Sequence, residues 1–514
     1  MHDPAVDRGA RRRALGVLCA VLFLTFVDTT IVSVALGDIQ ADLHAGVVSL
    51  QWVVNAYALL FASLMLTGGT LGDRFGRKRL LVSGVALFVA GSAIGALAPS
   101  VGVLIGARAV MGIGAAASEP GTLSIIRHVF PEERERSRAI GTWAAVTGIG
   151  LAAGPVVGGA LVGAFGWRSV FVFNIGYGTV LVPLALRFLP ESADPQGSRI
   201  DLPGLVLGAL ALGAVAFAII EGETAGFTTW WILLLFAVAA AAAAAFVAAE
   251  LRTPEPMLEL RFLRIPAFSS ALGVAFALYF GIFSIFFFTA LYLEEVVGYS
   301  GYRAAAAFGP MAGALVAGSQ ASGRWVARSG ARWPMTAGCA IAAGGILLTT
   351  AFLPAHPSFA PLAVSLLVAG LGFGIAVVPV TSAVLTIVPA ARSGMAASAT
   401  NTARQLGAVF GVAVLGALVN AHLTSDLGDR LHALGIPVNF QSIVIDAIET
   451  GTIPSGGSAP NASATYGPIV NKVIGAAYSA FHAGLHTALL ASAALILVAG
   501  AFSAFAADRG ERPS

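Results

Sequence analysis

The chain has 514 residues, 57% of them hydrophobic and only 11% charged, with a formal net charge of +3 and a mean hydropathy of +0.86. A soluble domain carries about 25% charged residues, so this composition excludes a soluble enzyme, a disordered chain and a fibrous protein. Cys19 and Cys339 both fall inside apolar runs and form neither a disulfide framework nor a metal-ligand spacing, and the basic residues are scattered through short loops, which excludes a nucleic-acid surface. Arginine far outnumbers lysine (Lys78 and Lys472 are the two lysines), which suggests a high-GC bacterial genome.

In chain order, apolar runs long enough for a spanning helix, about 20 residues, are predicted at 14–36, 50–71, 80–98, 101–126, 139–165, 169–189, 202–220, 230–249, 268–293, 304–327, 334–353, 359–387, 393–420 and 484–507. The first follows Arg8, Arg11, Arg12 and Arg13, as a signal peptide would. It is too long for one, contains Asp28 and is followed by no small-residue cleavage site, so it reads as a retained span. Fourteen spans put both termini on one side. With that side cytoplasmic, 23 of the 29 Arg and Lys fall inside, four fall outside (Arg168, Arg303, Arg430, Lys472), and Arg108 and Arg404 remain within spans. The positive-inside rule favours this count, because one missed span would invert every later loop. The stretch 421–483 is predicted outside, with Ile469–Phe481 as a surface helix before the last span. The sequon at Asn461 carries no weight in a bacterium.

An internal repeat supports a two-half architecture. Aligning Gly69 of GTLGDRFGRKR (69–79) with Gly323 of GRWVARSGARW (323–333) aligns Gly76 with Gly330 and Arg74 with Arg328, while Asp73 falls on Ala327. If spans seven and eight are an insertion, the pattern is six, two, six, and the repeated loop follows the second span of each half. Parallel repeats around a central substrate site are a recurring transporter plan. The expected fold is therefore an all-α integral membrane protein. It divides into a six-helix half at 1–195, a two-helix insertion at 196–264 and a second half at 265–514.

Four charges fall inside spans. Asp28, Arg108, Glu119 and Arg404 would together cost roughly 10–14 kcal/mol if left unpaired in lipid, so they are expected to face protein or water and to be functional. Asp28 and Arg108 sit at nearly equal depth at 1.5 Å rise per residue, and are expected to meet. A carboxylate balanced between a guanidinium and desolvation suits proton carriage. Glu119, eleven residues after Arg108, shares its helix face about 16 Å further in, and is a second proton or cation site. Arg404 enters near mid-depth, open to a carboxylate or an anionic group. In the 69–79 segment, Gly72 and Gly76 are expected to let the chain turn tightly around Asp73, Arg74, Arg77 and Lys78. Gly150, Gly154, Gly158 and Gly159 with Pro155 allow close helix contact and a kink. The aromatics of 276–295, Tyr279 and Phe283 among them, are divided between lipid and the interior, and Glu294 and Glu295 are expected at the outer mouth. His482 and His486 lack a third metal ligand.

These segments resemble the major facilitator superfamily, in its 14-span drug:proton antiporter branch (the EmrB/QacA group). LTFVDTTIVSVAL (24–36) is similar to the branch's first-span motif, with Gly37 where Pro is usual. QWVVNAYALL (51–60) is similar to its second-span pattern, with Asn55 where Thr is common and Tyr57 nearby. LIGARAVMGIGAA (104–116) is similar to the fourth-span motif with its buried Arg, with Met111 for Gln. GIGLAAGPVVGGAL (148–161) resembles the fifth-span antiporter motif, and WRSVFVFN (167–174) and NTARQLGAVFGVAV (401–414), with Asn401 and Arg404, also fit. The resemblance implies that Gly69, Gly72, Asp73, Arg74, Gly76, Arg77 and Lys78 form a cytoplasmic gate. It also implies that span five seals against the other half, and that Tyr279 and Phe283 line the cavity.

The expected function is proton-coupled efflux of lipophilic small molecules, cations and antibiotics included, across the bacterial plasma membrane. The expected protein is a monomer with no cofactor beyond the proton gradient, no metal and no enzymatic activity. The alternatives are an uncoupled or lipid-moving facilitator on the same fold, or a membrane scaffold or enzyme.

Overall fold

A computed structural model describes residues 8–506 apart from 46, 194–200, 254–255, 257, 294–305, 354–358, 390–391 and 434–467. Glu294, Glu295, Arg303 and Asn461 lie outside the described residues. Every described regular element is helical, as apolar sequence in lipid must satisfy its own backbone. The long helices are α1 (Arg8–Val34), α2 (Val47–Phe75), α3 (Arg77–Ala96), α4 (Val101–Val129), α5 (Glu133–Phe165), α6 (Arg168–Phe188) and α7 (Leu202–Ala225). They continue with α8 (Trp230–Glu250), α9 (Pro266–Leu291), α10 (Gly309–Ser329), α11 (Arg332–Ala351), α12 (Phe359–Ile387), α13 (Ser393–Ala433) and α14 (Pro468–Ala506).

A helix stands at each predicted span. Over their described residues, 11 are long and apolar enough to cross a membrane; α5, α10 and α13 fall outside that count. In α10 the Gly, Ser, Gln and Arg residues lower the hydropathy, and its small residues permit close helix contact. Large apolar side chains such as Val172, Val180, Leu234 and Val498 point outward on α6, α8 and α14, forming a surface suited to lipid.

Three expectations are corrected. The 69–79 segment is not a loop: α2 runs unbroken through Gly69, Gly72 and Asp73 to Phe75, and α3 begins at Arg77. Only Gly76, with φ of +108°, makes the turn, a backbone region disfavoured for residues with a Cβ. Gly330, its repeat partner, takes φ of +75° between α10 and α11, so the two halves turn at the aligned residue. Ile469–Phe481 is not a separate surface helix but the first part of α14, and α13 continues past 420 to Ala433. The predicted outer stretch 421–483 is thus helical at both ends.

The third correction concerns α5. Its glycines pack on α1 of the same half: a Cβ on Gly150 would lie 2.9 Å from Phe26 Cβ, one on Gly154 2.9 Å from Thr30 Cβ, and one on Gly158 2.9 Å from Ile31 Cγ1. Gly159 has nothing within 4 Å. The contacts of α5 with the other half come earlier in the helix, where Gly141 meets Ser319 and Gly148 meets Leu315 of α10. Gly154→Val is therefore expected to push α5 off α1 and cost about 1–3 kcal/mol. Gly159→Ala should be neutral. Thermal unfolding of the two purified variants checks the contrast, and equal melting temperatures would contradict it.

Close contacts between halves occur at the end of the bundle marked by Gly76 and Gly330. There Gly69 of α2 packs on Ser398 of α13, and Gly323 of α10 on Ser137 of α5. The insertion lies against α2, with Trp52 and Phe217 rings 5.2 Å apart. Its exit joins the same end: Glu259 pairs with Arg392, just before α13, and with Arg261. At the opposite end, Arg168 (2.5 Å) and Trp167 (3.0 Å) both donate to Asp42 Oδ2, and this donation holds the Asp42 carboxyl below the usual carboxylate range.

Candidate functional site

The glycine pattern of α4 explains how a charge becomes buried on it. Gly112 lets α4 approach α2 so closely that a Cβ there would lie 2.6 Å from the Tyr57 carbonyl oxygen, and Gly114 meets Gly84 and Phe88 of α3 in the same way. Arg108, one turn earlier, is thereby pressed between helices with no exposure. Its Nη1 donates to Asp28 Oδ2 at 2.5 Å and its Nε to the Val53 carbonyl oxygen at 2.9 Å, and it lies 4.4 Å over the Tyr57 ring. Asp28 is also fully buried, and its other oxygen accepts from Asn174 Nδ2 at 2.7 Å. The expected meeting of Asp28 and Arg108 is thus present, within the first half. Both carboxylate oxygens are matched, by a guanidinium and an amide.

Glu119 stands differently. It is 2% exposed, and its Oε2 is buried without a hydrogen-bond partner. Thr122 donates to its backbone carbonyl at 2.6 Å and accepts from the Trp143 indole N–H at 3.0 Å, which fixes the Trp143 ring beside it. The positive charge acting on Glu119 comes from Arg404 of α13, across the interface between halves. Arg404 is 2% exposed. It donates to Asn401 Oδ1 at 3.0 Å and to the Thr381 hydroxyl, and its guanidinium lies 5.2 Å from the Trp143 ring and 5.5 Å from the Tyr279 ring. Tyr279 arrives because Gly407 and Gly411 bring α13 onto the α9 backbone at Phe276 and Phe280. Phe283 stacks on Tyr279 at 6.2 Å.

The candidates thus divide into two clusters: Asp28, Arg108 and Tyr57 in one, and Glu119, Arg404, Asn401, Tyr279 and Phe283 in the other. Asn55 is half-buried on α2. Asn174, Thr122, Trp143 and Thr381 were not singled out from the sequence. Asn174 had a signal, a lone amide within an apolar span. The others are polar or aromatic residues of ordinary type, and only helix packing brings them to the charges.

At the Gly76 end, Asp73 Oδ1 accepts the Gly394 N–H at 3.0 Å and Oδ2 the Met395 N–H at 3.1 Å, so the carboxylate caps the start of α13 from the other half. Arg77 holds that carboxylate at 2.7 Å. Lys78 donates to the Leu186 carbonyl at 2.7 Å, and its backbone N–H donates to Glu191. Arg74 is exposed and lies over Phe75. Among the described residues no group of three or more His, Cys, Asp or Glu could hold a metal ion.

The family model described as Major Facilitator Superfamily matches residues 18–412. The chain is 36% identical over 430 residues to the multidrug resistance protein Stp of Mycobacterium tuberculosis, covering 83% of this chain and 80% of that one. It is 34% identical over 507 residues to the drug efflux pump JefA of the same organism, covering 96% and 97%. The solved structure of the human organic anion transporter MFSD10 superposes with a TM-score of 0.64 at 14% identity, over 96% of this chain and 99% of that one, a likeness of fold. The protein is a multi-pass membrane transporter and not an enzyme, and the chain belongs to the Major Facilitator Superfamily.

Proposed function

We propose that this protein exports lipophilic small molecules from bacteria across the plasma membrane in exchange for protons, through fourteen spans arranged six, two, six with both termini inside. The named functions of Stp and JefA support export. One observation carries the coupling: Glu119 is a buried acid with an unmatched oxygen at the interface between halves. An ionised carboxylate with an unmet lone pair in a dry interior is costly, and protonation relieves that cost. Asp28 has no such deficit, since Arg108 and Asn174 match both its oxygens. In this mechanism Glu119 carries the exchanged proton and Asp28 is the fixed counter-ion that seats Arg108. Arg404 supplies the positive charge that acts on Glu119. Asp73, capping α13 from α2, holds the inner end shut while the interior opens outward.

The test is substrate-induced proton release from protein in vesicles under an imposed pH gradient. Wild type should release protons on addition of substrate. Glu119→Gln should abolish release while retaining downhill substrate movement. Release that persists in Glu119→Gln would reject this assignment, and wild-type export that survives collapse of the gradient would favour the uncoupled facilitator.

A further inference from the structure

We infer that the site around Arg404 binds uncharged, planar lipophiles bearing both a hydrogen-bond donor and an acceptor, and disfavours permanent cations. The inference rests on the export function above, but concerns what is bound rather than what drives it.

The first ground is charge. Among the described residues, the fully buried charges midway along the helices are Asp28, Arg108, Glu119 and Arg404, two acids and two guanidiniums. Asp28 is matched to Arg108, and Glu119 faces Arg404. A permanent cation entering here meets no unmatched negative charge and lies beside a guanidinium that cannot be deprotonated. An uncharged guest incurs neither penalty.

The second ground is the pattern of unmet hydrogen bonds. Buried polar atoms are nearly always partnered, yet two atoms beside Arg404 are not. Glu119 Oε2 lacks a donor and Asn401 Nδ2 lacks an acceptor, in residues 2% and 1% exposed. Asn401 is tied to Arg404 through its other amide atom. A guest with one hydroxyl and one carbonyl satisfies both. Its hydroxyl, donating to Glu119, stabilises the ionised carboxylate, so guest and proton exclude each other as exchange requires.

The third ground is shape. Trp143 and Tyr279, one from each half, already flank a flat group in the Arg404 guanidinium, and the Phe283 ring extends the Tyr279 face. Planar aromatic guests stack on such surfaces.

Binding of two planar probes to the full chain in nanodiscs, with empty nanodiscs as blank and no gradient, tests this. The probes are 2,6-dihydroxyanthraquinone, used at a pH where it is uncharged and whose hydroxyls cannot reach its own carbonyls, and ethidium, a permanent cation. Wild type should bind the quinone at least about tenfold more tightly. Glu119→Gln and Asn401→Leu should each weaken quinone binding by about tenfold. Arg404→Gln, which unbalances Glu119, should strengthen ethidium binding by about tenfold. Wild type binding ethidium as tightly as the quinone would overturn the inference without any variant. So would quinone affinity unchanged in both Glu119→Gln and Asn401→Leu, or an unchanged preference in Arg404→Gln. A wild type that prefers the quinone yet releases no proton on binding it would sink proton coupling and leave this specificity standing.

Discussion

Arg108→Gln is expected to lower stability by about 3–5 kcal/mol, the cost of leaving one member of a buried ion pair behind. The carboxylate of Asp28, with no exposure, would keep only the Asn174 amide. Asp28→Asn should cost a comparable amount, because Arg108 would retain the Val53 carbonyl and the Tyr57 ring but lose its counter-charge. The double variant should regain much of the loss, since two neutral amides of similar size need no charge compensation. Thermal unfolding of the three purified variants reads this as a large coupling energy. A double variant no more stable than either single one would show that Asp28 and Arg108 do not depend on each other. Glu119→Gln provides the contrast. Its Oε2 has no hydrogen-bond partner to lose, and the Arg404 left without its counter-charge keeps Asn401 and the Thr381 hydroxyl, so the cost should be about 1–3 kcal/mol, below that of Asp28→Asn. The larger stability cost and the coupling should therefore fall on different acids.

The second large effect is expected at Asp73. Its carboxylate accepts both the Gly394 and Met395 N–H groups, a cap placed on α13 by a helix of the other half. A lost cap costs about 0.5–2 kcal/mol, and hydrogen bonds to a charged group about 1.5–3 kcal/mol. Because this cap bridges the halves, its loss should fall on the equilibrium between closed and open forms of that end. About 2 kcal/mol shifts such an equilibrium roughly thirtyfold. Ser319, fully buried where α10 meets α5, reports on the opening. A cysteine placed there should react with a water-soluble thiol reagent at least about tenfold faster in an Asp73→Ala background. The native Cys19 and Cys339, both buried, provide a quiet background. Equal labelling rates would show that the cap does not hold the end closed. Ala327, the repeat partner of Asp73, offers no second carboxylate, so no equivalent cap is available from α10.

Much of the helix plan was legible because lipid leaves a chain few choices. An apolar run of spanning length must satisfy its backbone internally, and helices stand at all the predicted positions. Their ends were less legible. The chain α2–Gly76–α3 reads as a charged loop on hydropathy, but one glycine with φ of +108° is enough to reverse it. Likewise α13 and α14 extend into polar sequence that hydropathy had placed in a loop. The glycines of α5 announced a close contact without naming its partner, because α1 and α10 both offer surfaces for small residues to meet.

The sequence by itself determined that this is a helical membrane protein, and it marked the costly residues, Asp28, Arg108, Glu119 and Arg404, because charge is conspicuous in apolar sequence. Equal depth also pointed to the meeting of Asp28 with Arg108, and only the tertiary structure decided what else surrounds each acid. Asn174 closes the ring around Asp28, whereas Glu119 keeps an unpartnered oxygen opposite Arg404. Residues more than a hundred positions apart supply those partners, and helix packing, rather than any local spacing, sets the hydrogen bonds that distinguish the two acids.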